Sequence, residues 1–301
     1  MEFRKIQMFV EVVRRQGFSR AAEALFATQS TVSKGVRQLE NELDAPLLDR
    51  SVRGVVLTDA GQVVYRRGLR MLAEHGDMLL ELEELHGLAG GTLLLGLPQI
   101  GASALFAPVF AEYRRRHPKV EIRLVEHGSD QLEGVLRAGG VELAASLLPV
   151  PDDFEWLPVR REPLVALLSP DHAQAALDAI TLDQVRDEPF ILFEDGFALN
   201  RIILGACRSR GFEPAIITKS SQIGFICRLA EAGLGVAFLP RLIAEQRRGP
   251  GVRLVRLDEP NTDWDMAVIW RRGGYLSAAA RAWLDVVRDL YGPDTEVSAE
   301  S

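Results

Sequence analysis

A chain of 301 residues, 47% hydrophobic and 26% charged, has room for more than one compact core. Its composition excludes a disordered coat, and no uninterrupted apolar run is long enough to span a bilayer. A net charge of −7 excludes a uniformly basic nucleic-acid binder, so any DNA affinity has to come from a local basic face.

The opening residues, Met1-Glu2-Phe3-Arg4-Lys5, lead into an amphipathic stretch broken by Glu11, Arg14 and Arg15. That does not read as a signal peptide, and a cytoplasmic location is expected. Phe3, Ile6, Phe9 and Val13 recur at helical spacing and predict a first helix that Gly17 ends. A short second helix over residues 20–25 is expected, capped by Ser19, with Phe26 and Ala27 forming the turn after it. Thr28 is placed to cap a third helix with Val32, Val36, Leu39 and Leu43 on its inner face. Its other faces carry Gln29, Ser30, Thr31, Ser33, Lys34, Arg37 and Gln38, which are hydrogen-bond formers and cations. Short polar side chains early in a helix and cations further along suit a major groove and its flanking phosphates. The bland alternative is that three short helices simply pack and their polar faces meet water. Two short apolar runs between Pro46 and Thr58, around a turn carrying Arg50 and Arg53, predict a basic β-wing.

The runs Phe18-Ser19-Arg20-Ala21-Ala22-Glu23-Ala24-Leu25, Thr28-Gln29-Ser30-Thr31-Val32-Ser33-Lys34, Leu39-Glu40-Asn41-Glu42-Leu43 and Arg53-Gly54-Val55-Val56-Leu57-Thr58-Asp59-Ala60-Gly61 follow one another in fixed order. In them the chain resembles the LysR-type transcriptional regulators. The resemblance implies a winged helix-turn-helix over residues 1–58, with DNA contacts from Thr28, Gln29, Ser30, Thr31, Ser33, Lys34, Arg37, Gln38, Arg50 and Arg53. It also implies a dimer that reads an inverted repeat in promoter DNA, pairing into a tetramer, with RNA polymerase as a further partner. Three positions depart from the pattern: Gly35 stands where a larger residue is usual, Asp44 where glycine is usual and Leu48 where phenylalanine is usual. Gly35 is expected to cost about 1 kcal/mol of helix propensity.

From Thr58 and Asp59, a cap and first-turn pair, the chain runs without proline to Leu88, which predicts a long linker helix, with residues 59–90 forming that helix and a hinge. Val64, Met71, Met78, Leu82 and Leu85 form its apolar stripe, with Gly68 and His75 in the same seam. The expectation is that this stripe packs on the same helix of a second chain, as the resemblance implies; intrachain packing is the alternative. His75 and His86 lack any converging ligand and predict no metal site. Gly87, Gly90 and Gly91 mark a hinge.

Beyond the hinge, strand-like and helix-like stretches alternate through residues 91–292, which predicts an α/β domain with a largely parallel sheet. The strands expected are residues 92–97, 120–125, 143–148, 164–168, 190–193, 215–218, 235–239 and 264–270. The helices expected are residues 102–116, 129–138, 199–210, 223–232 and 278–290. The resemblance implies two α/β lobes similar to periplasmic binding proteins, lobe I being residues 91–163 and 265–292 and lobe II residues 164–264. Residues 293–301 are expected to be a disordered tail.

Open α/β sheets bind ligands beyond the carboxyl ends of their strands, beside helix N-termini. That rule nominates Pro98, Gln99, Ile100, Gly101, Ala102 and Ser103, then His127, Gly128 and Ser129, on the first lobe. On the second it nominates Phe197, Asn200 and Arg201, then Ser220, Ser221 and Gln222. Against this stands the plain reading that Ser103 and Ser221 are helix caps and His127 a surface histidine. The resemblance implies a small organic acid or polar aromatic effector and no other cofactor. An enzyme is the main rival, but its motifs are missing. Gly96 and Gly101 have P-loop spacing, yet Ala102 stands where the phosphate-binding lysine belongs. Gly233-Leu234-Gly235 lacks the third glycine of a dinucleotide fingerprint, and Asp152-Asp153 lies beside Pro149 and Pro151 in an apparent loop. The other rival, an architectural DNA-binding protein, leaves residues 92–290 without a purpose. Cys207 and Cys227 read as packing residues.

Overall fold

The computed structural model describes residues 2–49, 54–85, 91–247, 249 and 251–292. By internal packing the chain divides into two units, residues 1–82 with 137–140, and residues 83–136 with 141–301.

The first unit begins with helices α1 (Phe3–Arg14), α2 (Phe18–Ala24) and α3 (Gln29–Leu43). Strands β1 (Leu48–Asp49) and β2 (Val56–Leu57) pair antiparallel, and α4 (Asp59–Leu85) follows. Ile6, Phe9, Val12, Val32, Val36, Leu39 and Leu47 are buried together, and it is their helical spacing that folds α1, α2 and α3 onto one core. Gly17, and not Ser19, occupies the N-cap of α2, so that helix starts two residues early. Leu43, expected on the inner face, is 37% exposed because α3 ends there. Asp44 then caps α3 in the left-handed conformation, with φ +48°, which is why glycine suits this place. Gly35 is buried, and a Cβ there would lie 2.3 Å from Met8 Sδ. The expected loss of helix propensity therefore comes with a close fit of the Met8 thioether against bare backbone. The Thr58 hydroxyl accepts from Gly61 N (3.0 Å) at the start of α4.

α4 does not keep its whole apolar stripe outside. Leu69 is buried, and Val64, Tyr65 and Leu72 are half-buried against the core that α1 supplies. Val64 is half-buried against its own chain's core, which leaves only part of its side chain for a seam. Met71, Met78 and Leu82 remain 39%, 49% and 44% exposed, and Val63 and Leu79 join them. The side chain of Leu85 and all of His86 lie outside the described residues.

The second unit holds a five-stranded sheet and a second group of strands. The first contains β3 (Thr92–Pro98), β4 (Glu121–His127), β5 (Leu143–Leu147), β6 (Phe154–Glu162) and, from far down the chain, β13 (Trp264–Arg271), in the order β4-β3-β5-β13-β6. The second contains β7 (Leu164–Leu168), β8 (Ala179–Ile180), β11 (Ala237–Pro240) and β12 (Arg253–Leu257) in the order β11-β7-β12-β8. Beside it lies the parallel pair β9 (Phe190–Phe193) and β10 (Ile216–Ser220). The sheets are mixed, which corrects the largely parallel expectation: β13 runs antiparallel to β5 and β6, and β7 antiparallel to β11 and β12. A strand that returns from the other lobe comes back in reverse, and alternation along the chain cannot reveal that. The chain crosses between the sheets at Pro163 and again over residues 258–263.

β6 follows directly on the acids expected in a loop. It was illegible because Pro158 and the pair Arg160 and Arg161 interrupt its pattern, and an edge strand tolerates both. Helices α5 (Ala107–Arg116), α6 (Ser129–Arg137), α7 (Ala198–Ser209), α8 (Ile223–Glu231), α9 (Arg241–Arg247) and α10 (Ala278–Tyr291) cover the sheets. The helix expected from Ala102 is divided. Ala102–Phe106 form a π-helical turn, and α5 begins beyond it with a proline in its first turn, where the missing N–H costs nothing. Tyr113 packs with Trp283 and donates to Ala279 O (2.9 Å); burial pushes its phenol up to about 12.

Candidate nucleic-acid interface and ligand cleft

Thr28 caps α3 as its position suggests: its hydroxyl accepts from Thr31 N (3.2 Å) and meets the hydroxyls of Ser30 (2.9 Å) and Thr31 (2.8 Å). Gln29, Ser30, Thr31, Lys34, Arg37 and Gln38 are exposed and Ser33 half-exposed, so the structure brings them onto one outward surface. Lys34 and Arg37 form no ion pair with a described residue, whereas Lys5 is paired with Glu42 (2.5 Å) and Arg14 with Glu11 (2.6 Å). Arg50 and Arg53 lie outside the described residues.

Sequence reasoning missed Glu40. It lies on the inner side of α3, 6% exposed, and its Oε1 accepts from Leu47 N (3.0 Å) and Leu48 N (3.4 Å). A buried carboxylate holding two backbone donors fixes the start of β1 to the recognition-type helix. A glutamate directly after an inward leucine was the only signal.

In the second unit the π-helical turn follows Pro98-Gln99-Ile100-Gly101. Pro98, Ile100 and Gly101 are buried, while Gln99 and Ser103 are exposed and Ala102 is half-buried. Gly101, at φ +93°, lies against the buried Trp264 indole, where a Cβ would stand 2.5 Å from the ring. The turns after β4 and β9 meet directly. Asp130 N donates to Gly196 O (3.2 Å), and a Cβ on Gly128 would lie 2.2 Å from that same oxygen. Arg201 stands 3.4 Å from Asp130, whose carboxyl burial pushes above the usual range while Arg201 pulls it down. His127 is exposed and Ser129 buried beside this contact.

The remaining candidates divide. Phe197 stacks on Phe193 and is 7% exposed. Asn200 is 9% exposed and spends its amide on the turn itself: Oδ1 accepts from Phe193 N (3.1 Å), and Nδ2 donates to Phe193 O (2.8 Å) and Glu194 O (3.1 Å). It shapes the rim instead of offering itself to a ligand. Gln222 is the N-cap of α8, with its N–H on Ser220 Oγ (3.1 Å), so Ser221 is not the cap; Ser103 caps nothing either, since Gly101 holds that place. A hollow of about 590 Å³ opens beside α7, lined by Leu148, Pro149, Arg201, Ile202, Ala206 and Asn261 among others.

A three-helix DNA-reading unit with a two-stranded wing, joined by a long helix to two α/β lobes that meet over a cleft, defines a ligand-responsive class of transcription factor. Residues 3–62 match the model described as "Bacterial regulatory helix-turn-helix protein, lysR family", and residues 86–292 match the LysR substrate binding domain. The chain belongs to the LysR family and is a transcriptional regulator with a helix-turn-helix DNA-binding domain and an effector-binding domain. It is 34% identical over 286 residues, 95% of each chain, to the uncharacterized HTH-type transcriptional regulator YwbI of Bacillus subtilis (strain 168). It is 30% identical over 297 residues to the transcriptional dual regulator GltC of the same organism, covering 97% of this chain and 98% of that one. Among solved structures, full-length BenM superposes with a TM-score of 0.60 at 22% identity over 98% of both chains. HinK from Pseudomonas aeruginosa superposes with a TM-score of 0.57 at 23% identity, covering 96% of this chain and 98% of that one. Among the described residues no helix is long and apolar enough to cross a membrane.

Proposed function

We propose that this regulator reads an inverted repeat in promoter DNA with two copies of α3, and that a small organic effector held between its lobes sets how the copies sit. In this reading Thr28, Gln29, Ser30, Thr31, Ser33 and Gln38 face base edges, while Lys34, Arg37, Arg50 and Arg53 hold phosphates. The observation that carries it is the cluster of exposed hydroxyls at the start of α3 beside two cations without an ion-pair partner among the described residues. The exposed Met71, Met78 and Leu82, with Phe3 at the edge of a hollow of about 540 Å³, support self-association through α4, as a dimer and then a tetramer. The direct meeting of the β4–α6 and β9–α7 turns supports the cleft, and in this reading the exposed or half-exposed polar groups Gln99, Ser103, His127, Arg201, Ser221 and Gln222 line it. An effector acts only if it binds the two arrangements unequally. The protein works in the cytoplasm and turns nothing over.

The test is binding to duplexes enriched from a random pool across a salt series. Lys34→Ala and Arg37→Ala are each expected to lower the slope of log affinity against log salt by about one, while Gln29→Ala changes sequence preference. Equal loss on matched and mismatched duplexes for Gln29→Ala removes its role. A thermal-shift screen of organic acids tests the cleft: a ligand at a hundred times its Kd adds about 2.7 kcal/mol. Silence across the screen removes the effector.

A further inference from the structure

The turn between α2 and α3 contains a residue that neither folding nor the contacts above account for. Phe26 N donates to Glu23 O (3.2 Å) and Ala27 N donates to Ala22 O (2.9 Å), the paired backbone bonds that close a helix with a left-handed residue. That left-handed residue is Phe26, at φ +49°. Glycine or asparagine takes this place without strain; a phenylalanine does not. Nor does the ring recover the strain by burial. It is 98% exposed, whereas no other large hydrophobic side chain among the described residues exceeds 52%.

What covers it follows from its position. Phe26 stands two residues before Thr28, the cap whose hydroxyl meets Ser30 and Thr31, and the start of a recognition helix is the end that approaches base edges. Its exposed neighbours Arg20, Glu23, Gln29 and Ser30 are polar, so the ring is an isolated apolar group in a polar surface and not part of a protein-docking face. The major groove displays one apolar group of its own, the thymine C5-methyl. We propose that Phe26 is a specificity-determining residue of the DNA interface, its ring seated against a thymine methyl at the edge of the sequence that α3 reads. This rests on α3 being the recognition helix, and it adds a readout that the polar face of that helix does not contain.

The experiment uses the full chain and a duplex enriched by it from a random pool. Phe26→Asn suits the left-handed turn, so its melting temperature is expected to equal or exceed that of the parent. Its affinity for the enriched duplex is expected to fall about tenfold, with the salt slope and the affinity for random duplex unchanged. Replacing thymine by uracil removes the methyl alone. At one position per half-site it should weaken the parent about threefold to tenfold and leave Phe26→Asn unaffected. Undiminished affinity of Phe26→Asn for the enriched duplex overturns the proposal. So does a loss that no single uracil substitution reproduces, which would put the ring on sugar. A shift in sedimentation for Phe26→Asn without a loss of affinity would put it on a second copy. Failure to enrich any duplex is a separate result: it fells the recognition-helix reading first, and this proposal with it.

Discussion

The two units carry their chemistry in opposite ways. In the first, most of the candidate DNA-contacting groups sit on the outward side of one helix, so a single periodicity states both the core and most of that surface. In the second, the candidate ligand groups come from turns that lie far apart in sequence, at the ends of β3, β4, β9 and β10, and acquire a common place only through two sheets and two chain crossings. Function on a face can be altered one side chain at a time; function in a cleft depends first on backbone that has to meet.

That contrast can be tested by effects of decreasing size. Glu40→Ala should be the most damaging substitution in the first unit, costing about 3 kcal/mol because two backbone donors lose their acceptor in a buried place. Urea unfolding that moves by less than a fifth of this would show that water replaces the carboxylate. In the second unit, burial with Glu259 nearby pushes the Cys207 thiol up from 9.0 to about 11. At pH 8 its alkylation should be about a hundredfold slower in the folded chain than in urea. Because the folded pKa is the higher one, the stability this burial reflects is whole below pH 9 and is lost as pH rises towards 11. Rapid labelling of the native chain would mean that α7 opens readily. Gly128→Val should cost about 2 kcal/mol in the second unit through the clash with Gly196 O, and should leave DNA affinity alone. A matching loss of DNA affinity would dissolve the separation between the units. Asp44→Gly should add about 1 kcal/mol to the first unit by relieving a left-handed aspartate, read as a higher urea midpoint.

Much of this arrangement was legible from residue patterns, and the misses have physical causes. The α3 cap and its outward residues were readable because a cap, an apolar period and a polar face all act within fifteen residues. Gly35 looked like a weakness because the Met8 thioether that fills its place belongs to α1. Val64 looked exposed because the core that half-covers it is assembled from residues earlier in the chain. β6 hid behind a proline that only an edge strand accepts, and Asn200 passed for a ligand group because its amide is spent on turn backbone that no spacing reveals. The strain of Phe26, by contrast, was present only in a dihedral angle.

The lobes touch where Asp130 N donates to Gly196 O and Gly128 lies against that same oxygen, with the Gln131 side chain beside Gly196 and Arg201 beside Asp130. The backbone bond in that contact does not depend on which side chains stand at the exposed rim. The polar groups at Gln99, Ser103, His127 and Ser221 can therefore change without removing the backbone bond that joins the two turns.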